Sequence, residues 1–460
     1  MLIFDTKYRK KVTLAPKKDN TIFMYTCGPT VYNYVHIGNL RTFVFEDLLR
    51  RVIKFCGMGV FQVMNLTDVD DKTIKGATEK NISLAEFTAP FEKSFMEDLK
   101  TLMVEPAEKY PKATDFIQEM IAMILKLIKK DYAYQTDTDV FFRIAKFKKY
   151  GELSHLNLDE LKNGGSLRVC SDEYDKENLS DFVLWKGYNP LKDGNIYWDS
   201  PFGKGRPGWH IECSCMSMHY LGDSFDLHTG GVDNIFPHHE NEIAQSEACT
   251  NKTFARHWMH SEHLLVEGKK MSKSLGNYYT LPDLLNKGYS GREIRALFLS
   301  SHYRAQLNFT FEGLSSIRGS LSRIDSFIQR LNSMQGDEQI DISHYEKEFK
   351  QSLEDDLNTP KAFAVLFDLI RFCNGQMDQK DVNTKNILSV LEQWNSIFAF
   401  IFVEEKEQIE DYITEAANKR FIARGQKDYQ TADAMRKLIE KAGYTVEDRK
   451  DMCSVKKKEI

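Results

Sequence analysis

Apolar positions along the chain change their period several times, and the changes divide it into blocks. Residues 21–27 (TIFMYTC) form a short apolar and aromatic run that breaks at Gly28-Pro29, the pattern of a buried strand and its stop. From 40 to 56 (LRTFVFEDLLRRVIKFC) apolar residues recur at helical spacing, at Phe43, Leu48, Val52 and Phe55, and 60–66 (VFQVMNL) is strand-like again. Strand, loop, helix, strand opens a parallel α/β sheet, whose ligands bind at the carboxyl ends of the strands, so chemistry is expected between Cys27 and Asn39. Residues 83–135 read as helices, opened by a capping box at Ser83 and Glu86 and continued by the amphipathic stretch 115–130. Residues 136–205 are irregular and rich in Asp, Gly and Pro, an insertion more than core sheet. A second α/β stretch covers 208–299. Beyond Gln306 the pattern is helical, with amphipathic segments at 314–332 and 361–373, and the apolar block 397–403 (IFAFIFV) fits a core helix.

Composition narrows the class. A chain of 460 residues has room for about three domains. Hydrophobic residues at 42%, with charged residues at 28%, exclude a disordered or low-complexity chain. The eight cysteines are scattered at 27, 56, 170, 213, 215, 249, 373 and 453, which suits reduced thiols or metal ligands rather than a disulfide framework. The amino-terminal MLIFDTKYRKKV lacks the apolar stretch of a signal peptide, and no run approaches the ~18 apolar residues of a membrane span, so a soluble cytoplasmic protein is expected. Residues 419–460 hold twelve Lys and Arg against seven Asp and Glu, a local charge of +5 in a chain of net charge −5. The sign suits a polyanionic partner, although taken alone the charges are better read as a solvated helical surface.

Two short motifs flank the α/β blocks. His36-Ile37-Gly38-Asn39 stands just before the first helix, and Lys270-Met271-Ser272-Lys273-Ser274 lies in the polar stretch GKKMSKSLGNYYT. A helix N-terminus attracts anions, glycine admits a phosphate close to the backbone, and two lysines on a loop can meet charge growing on a leaving group. No Gly-x-Gly-x-x-Gly follows the first strand, so neither a P-loop nor a dinucleotide fingerprint is present. Taken alone the four-residue motif is weak, and the five-residue one is harder to read as a chance basic loop. A third constellation joins Cys27, Cys213 in Trp209-His210-Ile211-Glu212-Cys213, and Pro237-His238-His239-Glu240-Asn241-Glu242. Pro237 suits a first helical turn, which sets His238 and Glu242 four apart on one face. Zinc accepts thiolate, imidazole and carboxylate, but spacing alone leaves open that the cysteines are small buried hydrophobes and His238 a core histidine.

The two motifs together, in this order, resemble the HIGH and KMSKS pair of class I aminoacyl-tRNA synthetases, with Asn39 replacing the last histidine. The segments around Tyr25–Tyr32, 65–72, 181–186, 208–214, 236–242 and 355–360 resemble the cysteinyl-tRNA synthetase family over most of the chain. That resemblance implies a class I Rossmann-like parallel-sheet catalytic domain in two halves (1–90 and 206–305), a connecting insertion without editing role (91–205), and an all-α C-terminal region. The latter would comprise a helical bundle (306–410) and a small anticodon-binding unit (411–460). It also implies ATP-dependent ligation of L-cysteine to tRNA(Cys) through a cysteinyl-adenylate, with one Zn²⁺ per chain and Mg²⁺ accompanying ATP. By the same resemblance Cys27, Cys213, His238 and Glu242 are the zinc ligands and Cys215 is structural. His36 and Asn39 contact ATP, while Lys270 and Lys273 stabilise the departing pyrophosphate. Thr67, Trp209 and His228 line the amino-acid pocket, and Asp233 meets a substrate amine or ribose. The run 420–436 matches the family, whereas the tail 451–460 departs from its usual ending. Two other readings are a relative transferring cysteine to an amino-sugar and a non-catalytic RNA-binding scaffold.

Overall fold

The computed structural model describes residues 1–156, 181–272, 275–334, 336–402, 411–426, 428–448 and 453–457. Its centre is a four-stranded parallel sheet in the order Ala255–Ser261, Phe225–Gly231, Thr21–Thr26, Gly59–Met64. Every residue of Phe225–Gly231 is buried, as in a parallel sheet covered on both faces. The register sets Tyr25 beside His228 and His228 beside Trp258, so the carboxyl ends of three strands come level near Cys27, Gly231 and Ser261.

The helix Ile37–Phe55 begins three residues earlier than the apolar spacing suggests, because His36 acts as its N-cap. Its interior buries Leu40, Val44, Leu48 and Val52. Ser83 and Glu86 form the expected capping box, the Ser83 hydroxyl accepting from the Glu86 N–H at 3.2 Å. The helix it opens, Leu84–Thr101, does not run on into Ile117–Lys129. Between them Pro106 and Pro111 hold the backbone extended, where Lys109 and Lys112 bridge to Val63 and Leu66 at the sheet edge.

The described parts of 136–205, residues 136–156 and 181–205, are more regular than their composition suggests. Ala133–Gln135, Val140–Phe142, Phe182–Gly187 and Gly205–Pro207 form an antiparallel sheet, with Phe142, Phe182 and Trp185 in the core. Three of these four strands have only three residues, too few for alternation to be read from sequence. A further small sheet pairs Leu264–Val266 with Lys269–Lys270 and Leu307–Phe309, and the first thirteen residues contribute an antiparallel ribbon, Leu2–Asp5 with Lys10–Thr13.

Helices Phe311–Ser333, Ser343–Glu354, Thr359–Met377 and Lys385–Phe398 follow. Phe349 and Trp394 stack at 4.0 Å in their core. The apolar block 397–403 is not one helix: the last helix stops at Phe398, Ala399 turns left-handed at φ +54°, and Phe400 and Ile401 fold back into the core. Compactness divides the chain into Met1–Ile401 and Phe402–Ile460. The second unit is helical over Asp411–Gly425 and Tyr429–Lys441 and then departs from an all-α expectation. Tyr444–Asp448 and Cys453–Lys457 pair as an antiparallel ribbon, and Tyr444 joins Ile413, Ala416, Ala417 and Ile439 in a small core.

Candidate active site

The first strand of the central sheet delivers a thiol to its carboxyl edge. Past Thr26 the Cys27 N–H still reaches the Thr229 carbonyl, at 3.4 Å. The next residue must be glycine, since a Cβ at Gly28 would stand 1.7 Å from the Asn65 carbonyl oxygen. Facing Cys27, the helix Trp209–Leu221 carries Cys213, and the helix Glu240–Thr250 with its preceding turn carries Glu242 and His238. Pro237 thus lies in that turn rather than in the first turn of the helix. The four donor atoms of Cys27, Cys213, His238 and Glu242 lie within 4.8 Å of one another.

The four donors set one another's protonation. Burial alone would raise the Cys213 thiol, but the hydrogen bond from Cys27 and the charge on His238 bring it down to about 6. Desolvation beside Cys213 pushes the half-buried Cys27 well up, and it keeps its proton. Burial would raise Glu242 too, yet His228 and His238 hold it down at about 2. Against burial, Cys213 and Glu242 raise His238 to about 10. Two sulfurs, one imidazole and one carboxylate are a tetrahedral zinc set in number and type. His238 Nε2 faces Glu242 Oε1 at 3.1 Å, while its Nδ1 meets His210 Nδ1 at 2.9 Å, the second-nitrogen contact that orients a ligating histidine. Cys215 lies apart, its Sγ 3.5 Å from Met123 Sδ.

Sequence reasoning missed a second layer of imidazoles. His239 Nε2 lies 3.3 Å from Cys27 Sγ, and its Nδ1 meets His260 Nε2 at 2.8 Å, with Thr6 Oγ1 beyond at 2.8 Å. Cys27, His228, His239 and Glu242 form an alternative donor set that shares Cys27 and Glu242 with the first. His239 stands three residues before Glu242, so helical spacing could have found it. His210 and His260 carried no such signal.

The expected pocket residues take different places. His228 is fully buried, stacked on Trp258 at 4.5 Å, with Nε2 2.9 Å from Glu242 Oε2. It therefore belongs to the donor cluster. Trp209 is 38% exposed and its ring lies 4.1 Å from that of His238. Thr67 is buried and exchanges backbone hydrogen bonds with Pro29 and Val31. Asp233 instead lines a separate cleft of about 600 Å³ together with His36, Asn39, Ser261 and Lys270.

In that cleft His36 Nδ1 accepts from the Asn39 N–H at 3.2 Å. Burial lowers His36 to about 4 against the pull of Asp233, so the ring is neutral at pH 7 with its proton on Nε2. Nε2–H is then the ring's donor, next to the N-terminus of the helix Ile37–Phe55, an end that attracts anions. Lys270 is exposed on the far lip, and the following turn is held by Asn277, which accepts from the Ser272 N–H and donates to the Lys270 carbonyl. Lys273 lies outside the described residues.

A parallel sheet with a histidine-capped helix at its carboxyl edge and a lysine loop opposite is the architecture of the class I aminoacyl-tRNA synthetases. The family profile described as tRNA synthetases class I (C) catalytic domain matches residues 13–318, and a DALR domain profile matches 348–402. Among solved structures, the Mycobacterium tuberculosis methionyl-tRNA synthetase in complex with methionyl-adenylate shares this fold. Its TM-score is 0.61 at 14% identity, covering 83% of this chain and 88% of that one. The cysteine–tRNA ligase of Protochlamydia amoebophila (strain UWE25) is 50% identical over 467 residues, 99% of this chain and 97% of that protein. That of Brachyspira hyodysenteriae (strain ATCC 49526 / WA1) is 47% identical over 462 residues, 97% of each. The chain belongs to the cysteine–tRNA ligase family.

Proposed function

We propose that this enzyme joins L-cysteine to tRNA(Cys) in two steps, with a zinc ion selecting the substrate thiol. In the first, the cysteine carboxylate attacks the α-phosphate of ATP, giving cysteinyl-adenylate and pyrophosphate. In the second, the 2′-hydroxyl of the terminal tRNA adenosine takes the aminoacyl group and AMP leaves. The residues supply position and charge rather than covalent chemistry. Cys27, Cys213, His238 and Glu242 would hold the zinc, and their convergence within 4.8 Å, three of them buried and Cys27 half-buried, is the observation that carries this reading. Bound there, zinc supplies a thiophilic position that takes a thiolate and disfavours a hydroxyl.

His36 donates through Nε2 to the ATP phosphates, Asn39 meets phosphate or ribose, and Mg²⁺ accompanies the nucleotide. Lys270 and Lys273 neutralise the departing pyrophosphate, and Asp233 at the same cleft meets a ribose hydroxyl or the substrate amine. Thr67, Trp209 and His228 bound the amino-acid side, Trp209 through its ring over His238. Residues 1–90 and 206–305 make the catalytic halves, 91–205 is a connecting insertion, and 306–410 is a bundle. Residues 411–460 read the anticodon. Among the described residues no helix is long and apolar enough to cross a membrane, and a cytoplasmic place fits a translation enzyme.

Elemental analysis of the purified enzyme, with ATP–pyrophosphate exchange on cysteine and on serine, tests this. A pocket without metal separates such near-isosteres by only about 10²-fold, so discrimination well beyond that and one zinc per chain are expected. Comparable kcat/KM for serine, or full activity after the metal is stripped, would overturn the reading.

A further inference from the structure

Beside the ATP cleft stand aromatic rings that the mechanism above does not use. Tyr278 meets the His36 ring edge-on at 5.4 Å, and its hydroxyl donates to the Tyr34 carbonyl at 3.2 Å. Tyr34 packs edge-on against Phe91 at 5.3 Å yet stays 48% exposed. Tyr32, whose phenol neighbours that of Tyr278, is 38% exposed, and the Lys72 ammonium lies 5.2 Å from its ring centroid. Lys72 follows Asp71, which pairs with Lys186 of the insertion sheet and with Arg206. A row of aromatic and basic groups therefore runs from His36 to the insertion.

The loop that presents Tyr32 is held in place. Val31 N–H donates to the Thr67 carbonyl at 3.0 Å, Thr67 N–H donates to the Pro29 carbonyl at 3.1 Å, and Val31 and Val35 are buried. The same backbone course that buries the valines turns Tyr32 and Tyr34 outward. An apolar ring kept at the surface by an ordered loop, with an ammonium against it, is the chemistry that receives unpaired nucleotides: the base stacks and the cation meets phosphate. The two-step reading brings the terminal adenosine to the cleft at His36, so the unpaired nucleotides before it lie close by, where this row offers them a ring and a cation.

We propose that Tyr32 and Lys72 form a stacking platform for the single-stranded 3′ end of the tRNA. The proposal rests on the two-step reaction above and deepens its second step. Three variants, Tyr32→Ala, Tyr32→Phe and Lys72→Ala, are compared with the wild-type enzyme in cysteine-dependent ATP–pyrophosphate exchange and in charging of tRNA(Cys). Binding is followed with a tRNA carrying 2-aminopurine at an unpaired position just before the terminal adenosine. Losing one base–aromatic stack lowers affinity by roughly tenfold, so Tyr32→Ala should cut charging kcat/KM by about that factor while exchange moves less than about twofold. Tyr32→Phe keeps the ring and should charge almost normally, with the 2-aminopurine quenching on binding retained. Lys72→Ala should weaken tRNA binding and reduce its salt slope by about 0.7. An equal fall of exchange and charging in Tyr32→Ala would mean that the ring serves ATP or the fold, and overturns the proposal. So would undiminished charging. A wild-type enzyme that fails to exchange at all would instead refute the two-step reaction itself.

Discussion

Glu46 shows how much one buried atom can dictate. It lies fully buried on the helix Ile37–Phe55, where Oε1 accepts from the Thr229 hydroxyl at 2.8 Å and Oε2 has no hydrogen-bond partner among the described residues. Burial raises its carboxyl to about 8, against the lowering hydrogen bond from Thr229. In the unfolded chain the group titrates at its ordinary value of 4.5. The folded protein therefore holds an extra proton between those two pH values, and stability falls as pH rises through the window, by about 1.4 kcal/mol per pH unit. The neutral carboxyl is harmless below 4.5, and its penalty is complete above the folded pKa. Glu46→Gln abolishes the titration and keeps an acceptor for Thr229. Its melting-temperature advantage over the wild-type protein should be small at about pH 5 and grow steadily to about pH 8.5, measured by thermal unfolding across that range. A gap that stays constant would show that Glu46 does not ionise there. Nothing in the sequence marks Glu46, which reads as one polar position of an amphipathic helix. The four proposed zinc donors were legible as donor types, but their convergence came from family resemblance. Cys27 and Cys213 share no short spacing, and the contacts of His239, His260 and Thr6 join distant segments that no local rule connects.

Elements are fastened by buried polar side chains as much as by apolar stripes. Arg295 is fully buried on the helix Gly291–Leu299, where its Nε donates to the Phe398 carbonyl at 2.7 Å and Nη1 to the Leu102 carbonyl at 2.9 Å, while Nη2 pairs with Asp47. One guanidinium thereby joins its own helix to three others: Ile37–Phe55, the end of Leu84–Thr101 and the end of Lys385–Phe398. Arg295→Met would take a donor from both carbonyls and leave the buried Asp47 carboxylate with Arg51 and the Glu105 N–H. Removing one partner of such a buried pair costs about 3–5 kcal/mol, and Arg295→Lys should recover little because an ammonium cannot span this fork. Denaturant unfolding of both variants measures the loss, and a cost under about 1 kcal/mol would show that the guanidinium is replaceable. Periodicity read the long helices and the central strands well because each buries one continuous stripe or run. It failed at the insertion sheet, whose short strands are held by ring packing, and at 102–112, where two prolines override a helical neighbourhood. A buried arginine is invisible to periodicity, since its acceptors are carbonyls brought by other helices.

At the scale of the whole chain the charge is unevenly placed. The compact unit Phe402–Ile460 contains the segment 419–460, with its local charge of +5 in a chain of net charge −5. It has its own small core, while the sheet, the donor cluster and the cleft at His36 lie wholly within Met1–Ile401. The proposed chemistry on cysteine and ATP places none of its residues in the basic unit, whereas positive charge there suits a polyanion. Each phosphate that a cation neutralises releases a counterion on binding, so a protein with fewer such pairs shows a shallower dependence of affinity on salt. A chain ending at Ile401 should retain cysteine-dependent pyrophosphate exchange to within about twofold. Its tRNA affinity should drop at least tenfold, with the slope of log K against log salt shallower by about 0.7–0.9 for each phosphate no longer neutralised. Filter binding over a salt series, run beside the exchange assay, separates the two effects. If the shortened chain bound tRNA with an unchanged slope, the positive charge of residues 419–460 would be a solvated surface, and recognition would have to reside in Met1–Ile401 alone.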